Sequence, residues 1–268
     1  MKLRDLGFLV AGASAAMLTY GVLYEANRLV VERHTLRLRG WKRSLNGFKI
    51  ALLTDLHLRD HYSVELAKRA VVAALDEEPD MVVLTGDLVS YWRPNSEDLL
   101  SDALEPLLLM DGNVVAIPGN REYSSGSPER LRPVLDALNV KLLRNESWHH
   151  AGIDWIGIDS ANARKSDPYK ALQGVKDGAA IILWHEPDMV DTLPFEADLM
   201  LSGHSHGGQF RFPGGFTPMT STNGKKYLSG YFPEAKVPLY VSRGIGTTGP
   251  PSRFLCPPEV SILTLIQG

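Results

Sequence analysis

The stretch FKIALLTDLH, residues 48–57, joins an apolar run to two polar side chains that can bind a metal. Residues 48–54 have the length and composition of a buried strand, and Asp55 and His57 follow at once. Residues 64–75 come next and carry their apolar side chains at helical spacing on one face. A strand followed by an amphipathic helix is half of a β-α-β unit, so this stretch predicts an α/β domain.

The same alternation continues to the end of the chain. Residues 96–110 have a helical pattern, and Ser127-Pro128 predicts a second helix start, with Ser as N-cap and Pro in the first turn. Residues 213–230 are rich in Gly, Pro and Thr and predict a loop, either over the substrate or on plain surface. The further predicted strands are 81–85, 114–117, 155–158, 180–184, 199–202, 239–242 and 260–265.

Composition excludes several classes of protein. Cys256 is the only cysteine among 268 residues, which rules out a disulfide scaffold and a metal site built on thiolates. The formal net charge is −3, so there is no basic excess for binding nucleic acid, and no nucleic-acid partner is expected. Any metal must therefore be bound by oxygen and imidazole ligands.

The N-terminal segment differs in kind from the rest. Residues 8–24 contain no charged side chain, and 17 residues are at the lower limit for a transmembrane helix. We therefore predict a membrane anchor over residues 1–27, a juxtamembrane linker over 28–45 and one catalytic domain over 46–268. Two alternatives remain: a cleaved signal peptide, for which Ala13-Ser14-Ala15 is a candidate cleavage site, and an ordinary helix of the domain.

Polar side chains follow five of the predicted strands. Carboxyl ends of strands meet at one crevice in an open α/β sheet, so residues far apart in sequence can form one site. Each short motif alone is more typical of a turn or a helix cap, and only the joint order favours a site. Seven oxygen and nitrogen ligands are too many for one tetrahedral ion and suit two divalent metals. They are Asp55, His57, Asp87, Asn120, His185, His204 and His206.

The ordered motifs Asp55-x-His57, Gly86-Asp87, Gly119-Asn120-Arg121-Glu122, His185 and Gly203-His204-x-His206 resemble those of the calcineurin-like metallophosphoesterase superfamily. The resemblance extends over residues 46–268. The sequences GHSHGGQ at 203–209 and YVSRGIG at 240–246 are similar to the membrane-anchored bacterial branch. The resemblance implies two facing mixed β-sheets flanked by helices in four layers, with a dinuclear metal centre at one edge.

The resemblance also implies two ligand sets that share a bridging carboxylate. Manganese is favoured as a family habit, while iron, zinc and magnesium are compatible with the same ligands. A metal-bridging hydroxide would attack phosphorus directly, without a covalent intermediate. One metal is expected on Asp55, His57, Asp87 and His206, and the other on Asp87, Asn120, His185 and His204. The residues expected to act in catalysis are Asn120, Arg121 and His204.

Arg121 stands where the superfamily most often has histidine. A guanidinium is a poor proton donor but can bind a second phosphate through two hydrogen bonds. Because a phosphate leaving group needs little protonation, arginine favours a diphosphate substrate, with Arg121 and Glu122 binding it. The Gly-Asn-Arg-Glu motif is similar to that of UDP-2,3-diacylglucosamine pyrophosphatases. The alternative is that Arg121 only forms an ion pair with Glu122 or another acid.

The expected function is metal-dependent hydrolysis of a phosphodiester or diphosphate bond, on a lipid-linked or nucleotide-sugar substrate at the membrane. The alternatives are a generic phosphodiesterase or phosphomonoesterase, and a non-catalytic interaction protein on the same fold. The expected location is the bacterial inner membrane, crossed once. Basic residues lie on both sides of the apolar segment, with Lys2 and Arg4 before it and more arginines after it, which weakly favours a cytoplasmic domain.

Overall fold

Two six-stranded mixed β-sheets form the centre of the structure, a computed structural model that describes residues 3–176, 178–249 and 251–268. The strands are β1 (Val30–Leu38), β2 (Phe48–Leu53), β3 (Met81–Leu84), β4 (Val114–Ala116), β5 (Lys141–Leu142), β6 (Glu146–His150), β7 (Ile153–Ile158), β8 (Ala179–Trp184), β9 (Leu199–Ser202), β10 (Gly230–Phe232), β11 (Leu239–Val241) and β12 (Glu259–Gln267).

The helices lie outside and at the ends of the sheets. The α-helices are α1 (Leu3–Leu23), α2 (His61–Leu75), α3 (Ser96–Leu104), α4 (Arg121–Ser124), α5 (Leu131–Ala137) and α6 (Pro168–Ala171). The 3-10 turns are Glu25–Asn27, Arg43–Leu45, Glu105–Met110, Pro128–Arg130, Pro187–Thr192 and His206–Gly208. Asp60 begins α2 with a capping box to Ser63, and Ser127 caps the turn that leads into α5.

Both sheets contain mostly parallel neighbouring strands. The first has the order β1-β12-β2-β3-β4-β5, in which β12 and β2 are antiparallel and the other neighbours are parallel. The second has the order β10-β11-β9-β8-β7-β6, with antiparallel pairs only at its two edges. The four central strands β2, β3, β8 and β9 are short and mostly apolar, as expected for strands covered on both faces.

Three apolar clusters hold the layers together. One lies between the two sheets and contains Trp155, Leu201 and Leu263. A second joins α2, α3 and α5 to the outer face of the first sheet, and a third covers the outer face of the second sheet. The predicted α/β fold with two helix-flanked mixed sheets is confirmed.

Within residues 28–45, the predicted linker, residues 30–38 form a strand of the first sheet. Strand β1 pairs in parallel with β12 from Val30 opposite Glu259 to Leu38 opposite Gln267. Its sequence VVERHTLRL contains two charged arginines and a glutamate, as is common in an edge strand, and only Leu36 and Leu38 are fully buried. The first sheet therefore begins before residue 46.

Helix α1 contains most of the predicted transmembrane segment. However, no helix in the described part of the chain is both long enough and apolar enough to cross a bilayer. The transmembrane helix predicted for this segment is therefore not supported. Lys2, on which the predicted orientation rests in part, lies outside the described residues.

The cluster between the sheets predicts the cost of a cavity there. Leu201→Ala should lower the free energy of unfolding by about 2–5 kcal/mol, because Leu201 is fully buried between the two sheets. Leu109→Ala is the matched control, since Leu109 is 81% exposed and its truncation should change stability by less than about 0.5 kcal/mol. Urea unfolding followed by fluorescence would measure both, and equal effects would contradict the assigned core.

Candidate metal centre

The seven predicted ligand residues all follow strands and lie at one edge of the two sheets. The first sheet contributes those after β2, β3 and β4, and the second those after β8 and β9. They are Asp55, His57, Asp87, Asn120, His185, His204 and His206. Both sheets therefore deliver side chains to the same crevice, as the strand-end pattern predicts.

Asp55, His57 and His206 form the first of two buried groups, with ligand atoms all within 4.8 Å of one another. Nε2 of His57 lies 3.0 Å from Nε2 of His206. Oδ1 of Asp55 lies 3.3 Å from Nε2 of His206 and 3.7 Å from Nε2 of His57. Separations of this size fit ligand atoms that each lie about 2.0–2.2 Å from one ion.

Asp87, His185 and His204 form the second group, also within 4.8 Å of one another. Nε2 of His185 lies 3.3 Å from Oδ2 of Asp87 and 3.2 Å from Nδ1 of His204. The same Oδ2 of Asp87 lies 3.7 Å from Nε2 of His57 in the first group. Asp87 therefore lies between the two groups, where a bridging ligand would be.

Unpartnered polar atoms show that these residues fit divalent cations. Oδ1 of Asp55 and Oδ1 of Asn120 are both buried and have no hydrogen-bond partner in the structure. A buried oxygen without a partner is costly, and a cation would remove that cost for both. Asn120 completes the predicted set beside a cavity of about 230 Å³ that Asp87, His204 and His206 also line.

The backbone at five ligand positions is left-handed. Asp55, His57, Asp87, His204 and His206 have φ angles of 54°, 50°, 51°, 68° and 51°. This conformation costs a residue with a side chain roughly 1–2 kcal/mol. Each strand turns sharply at its end in this way, and the turn directs the ligand into the crevice.

Two glycines allow the loops to approach this closely. A Cβ atom on Gly119 would lie 2.3 Å from Oδ1 of Asp87, and one on Gly203 would lie 2.1 Å from Oγ1 of Thr54. Neither position has room for a side chain. The glycines of the Gly-Asn and Gly-His motifs are therefore required by the spacing of the loops.

Hydrogen bonds to the backbone fix which imidazole nitrogen faces the site. Nδ1 of His185 donates to the carbonyl of Thr85 at 2.6 Å, which turns its Nε2 inwards. Nε2 of His204 donates to the carbonyl of Thr222 at 2.7 Å, which leaves its Nδ1 facing the site. Such partners orient a ligand and set its tautomer. Thr222 lies in the Gly/Pro/Thr-rich loop, which also covers the cavity with residues 219–221.

Burial and charge together set the ionisation of the ligands. Burial alone would raise the pKa of Asp55 and of Asp87, but the neighbouring imidazoles lower both more strongly, so both pKa values lie below the usual aspartate range. Burial lowers the pKa of His204 and that of His206, the latter to about 3. Carboxylates that are charged and imidazoles that are neutral are the forms that bind a metal.

His185 behaves in the opposite way. Burial lowers its pKa, but the carboxylates of Asp87 and Asp55 raise it well above the usual histidine value. The negative charge of these two carboxylates thus favours the protonated form of His185. A divalent cation would displace that proton and offset both carboxylates.

Arg121 and Glu122 lie in different surroundings. Arg121 is half-buried and lines the cavity of the metal centre, and its guanidinium has no ion pair with any residue in the described part of the chain. Glu122 is fully buried and accepts hydrogen bonds from the backbone amides of Asp87, Val89 and Gly119. This position favours a positioning role for Glu122 over the predicted contact with substrate.

Asn162 and Glu186 are two further residues that shape the site. Asn162 contacts Nε2 of His204 at 3.0 Å and donates to the carbonyl of Thr222 at 2.9 Å. Buried Glu186 accepts from the hydroxyl of Ser160 and from the amide of Asn162, which fixes that loop. Asn162 follows β7, so the strand-end pattern that predicts the ligands would also have found it.

Two buried ligand groups lie at one edge of the sheets, and Nε2 of His57 in the first is 3.7 Å from Oδ2 of Asp87 in the second. Two adjacent groups of this kind define the site of a hydrolase that uses two metal ions. Residues 48–208 match the sequence profile of the calcineurin-like phosphoesterase family. The chain belongs to that family, and it is a dinuclear metallophosphoesterase.

Individual relatives agree with this assignment. An uncharacterized metallophosphoesterase of Helicobacter pylori strain 26695 is 34% identical over 81% of this chain and 60% of its own length. The uncharacterized metallophosphoesterase YkuE of Bacillus subtilis is 28% identical over 97% of this chain and 94% of its own length. Phosphodiesterase YaeI of Escherichia coli is 28% identical over 86% of each chain.

Metal removal should abolish activity. A chelator should reduce phosphoesterase activity to background, and a divalent cation should restore it, because the ligand set is otherwise an unbalanced cluster of buried charge. Asp87→Ala should be the most damaging ligand substitution, since Asp87 lies between the two groups. Elemental analysis should accompany each assay; full activity in protein shown to be free of metal would contradict this prediction.

Loss of Glu122 should destabilise the loops that hold the site. Glu122→Ala leaves three buried backbone amides without an acceptor, and each costs about 1–3 kcal/mol. We expect a loss of about 3 kcal/mol or more in the free energy of unfolding. Glu65→Ala, an exposed change on α2, is the control and should have little effect. Equal urea midpoints for the two variants would show that Glu122 has no such role.

Proposed function

We propose that this enzyme hydrolyses a phosphodiester or diphosphate bond, and that a diphosphate is the preferred substrate. The observation that carries the proposal is Arg121, a half-buried cation that lines the metal-centre cavity without an acidic partner among the described residues. A guanidinium in this position suits a planar, doubly hydrogen-bonded contact with phosphate. The alternative ion pair with Glu122 loses its support, because the Glu122 carboxylate is occupied by three backbone amides.

The proposed ligand sets follow the positions of the side chains. Asp55, His57 and His206 would hold one divalent ion, His185, His204 and Asn120 the other, and Asp87 would contact both. When bound, two such ions lower the pKa of a water molecule and neutralise charge that develops on phosphoryl oxygens. Manganese is the proposed metal. Activity recovered by the metal-free protein with manganese, iron, zinc and magnesium would rank them.

The chain's own residues then bind and orient the substrate. Arg121, Asn120 and His204 line the same cavity, so all three would face the phosphoryl groups. The amide of Arg121 donates to Oδ1 of Asp87 at 2.8 Å, which fixes the loop that carries both Asn120 and Arg121. Because a guanidinium stays protonated, Arg121 cannot serve as the proton donor to an alkoxide, and a phosphate leaving group does not require one.

A phosphodiesterase acting on simple esters is the second candidate. It is supported by the similarity to YaeI, which is named as a phosphodiesterase.

A lipid-linked or nucleotide-sugar diphosphate is the substrate class proposed for the first candidate. The location at the bacterial inner membrane stays a prediction.

Arg121→His separates the two candidates. If Arg121 binds a second phosphate, the variant should lose about ten- to a hundredfold in kcat/KM on a diphosphate such as a nucleotide sugar, the loss expected for one charge-assisted contact of roughly 1.5–3 kcal/mol. Activity on an alkyl phosphodiester should be preserved or raised, because histidine can donate a proton.

The control for this experiment is Arg132→His on the exposed side of α5, which should change neither activity. An equal fall on both substrates would mean that Arg121 binds phosphate without preference for a diphosphate. No change on either substrate would remove Arg121 from the reaction.

A further inference from the structure

An apolar groove opens beside the metal centre. It lies between the end of α1, the start of α2 and the loop at Gly246 and Thr247, and its volume is about 420 Å³. Most of its wall is hydrocarbon, contributed by Val22, Leu23, Leu66 and Pro251. A cavity of this size and character is typical of small-molecule sites in proteins.

The groove is continuous with the metal centre. His57, a member of the first ligand group, also lines the groove. Arg59 lies two residues further on and donates to the carbonyl and to the hydroxyl of Thr247, at 3.0 Å and 3.1 Å. The end of the groove nearest the ligands is therefore polar, and most of the remaining wall is apolar.

The α1 side of the groove is fixed to the domain. Gly21 packs so closely that a Cβ atom there would lie 2.1 Å from Oγ of Ser252, and the amide of Arg253 donates to the Gly21 carbonyl. Buried Glu25 accepts from the Tyr20 hydroxyl at 2.9 Å and from the Cys256 amide at 3.1 Å. The apolar side chains at the end of α1 thus form a built wall.

Several apolar side chains of the groove nonetheless remain in water. Leu23 is 73% exposed, Val22 is 36% exposed and Tyr62 is 85% exposed. A cluster of exposed apolar side chains beside a catalytic centre marks a binding surface. Covering these residues would release the free energy that their exposure costs.

The opposite side of the metal centre has a different character. A second cavity of about 420 Å³ starts from Asn120 and is lined by Tyr123, Ser124, Asn162 and Lys165. These side chains are hydrogen-bonding or charged. A phosphate held at the metals would therefore have a polar cavity on one side and an apolar groove on the other.

We infer that the groove binds the hydrocarbon chain of an amphiphilic phosphoester or diphosphate substrate. The inference rests on the proposed function and adds the residues that would recognise the apolar arm. Aliphatic walls favour a hydrocarbon chain over a nucleobase, since bases bind proteins mainly by stacking on aromatic rings and, apart from the ligand His57, Tyr62 is the groove's single aromatic side chain among the described lining residues. Arg59 and Asp60 offset each other in charge, so the groove does not suit a polyanion.

Alkyl 4-nitrophenyl phosphodiesters with methyl, butyl and octyl chains test this directly. Full-length, metal-loaded protein is assayed by release of nitrophenolate, with every ester kept below its micelle concentration. Full burial of one methylene raises affinity by about fourfold, so burial of only two of the added methylenes would raise kcat/KM by at least about tenfold from the methyl to the octyl ester. An increase in kcat/KM that comes from a lower KM, with kcat unchanged, would match binding of the chain in the ground state.

The variant Val22→Gln with Leu23→Gln should reduce the octyl-to-methyl ratio several-fold, and both sites are exposed enough to tolerate the change without unfolding. Leu66→Gln, at the opposite wall, should do the same. Leu109→Gln is the matched control, because Leu109 is 81% exposed, lies outside the groove and should leave the ratio unchanged.

The outcomes separate this inference from the proposed function. Hydrolysis of all three esters at equal kcat/KM would overturn the groove assignment and leave the phosphoesterase assignment intact. An equal fall of the ratio in the Leu109 variant would show that general surface hydrophobicity, not the groove, selects the chain. A nucleoside 4-nitrophenyl phosphodiester preferred over the octyl ester would assign the groove to a base. Failure of the metal-loaded protein to hydrolyse any ester or diphosphate would overturn the proposed function itself.

Discussion

Crowding of buried charge at one point is the constraint on which the rest of the structure depends. Two aspartates and four histidines lie within a few ångströms of one another with almost no access to water. Part of this cost appears at Oδ1 of Asp55, which is buried and has no hydrogen-bond partner, and part at His185, whose pKa the carboxylates of Asp87 and Asp55 raise against the effect of burial. The left-handed backbone at five ligand positions adds to that cost. Metal binding is therefore coupled to the stability of the loops as well as to the chemistry.

The sheets keep these strained loops in place. Strands β2, β3, β8 and β9 are buried on both faces, so their ends are fixed by packing rather than by the loops that follow. The loops that carry the ligands are held by further hydrogen bonds, and the acceptors are the carboxylates of two buried glutamates. Glu122 fixes the loops after β3 and β4, and Glu186 fixes the loop that brings Asn162 to His204. Strain at the ligands is thus sustained by satisfied polar groups one step further from the centre.

The sequence was most informative where one physical rule sufficed. Apolar runs predict the central strands, and the carboxyl-end rule places Asp55, Asp87 and His204 together although they are distant in the chain. Strand β1 is not recognised from the sequence, because only two of its nine residues are fully buried and its charged residues resemble those of a linker. Glu122 illustrates another limit: a glutamate next to a substrate-binding arginine and a glutamate that supports a backbone turn have the same sequence pattern. Only burial and the three amide donors distinguish them.

Helix α1 packs against a loop near the metal centre. Its last turn packs on residues 252–254 through Gly21 and Tyr20, and these residues directly precede the segment that leads into β12. Arg253 is fully buried there and donates to the carbonyls of Arg243, Gly244 and Gly246, the loop that forms the floor of the groove near His57. A helix that only tethered the domain would not need a glycine at its contact or a buried arginine beneath it. The close packing instead fixes the end of α1 as one wall of the proposed hydrocarbon groove.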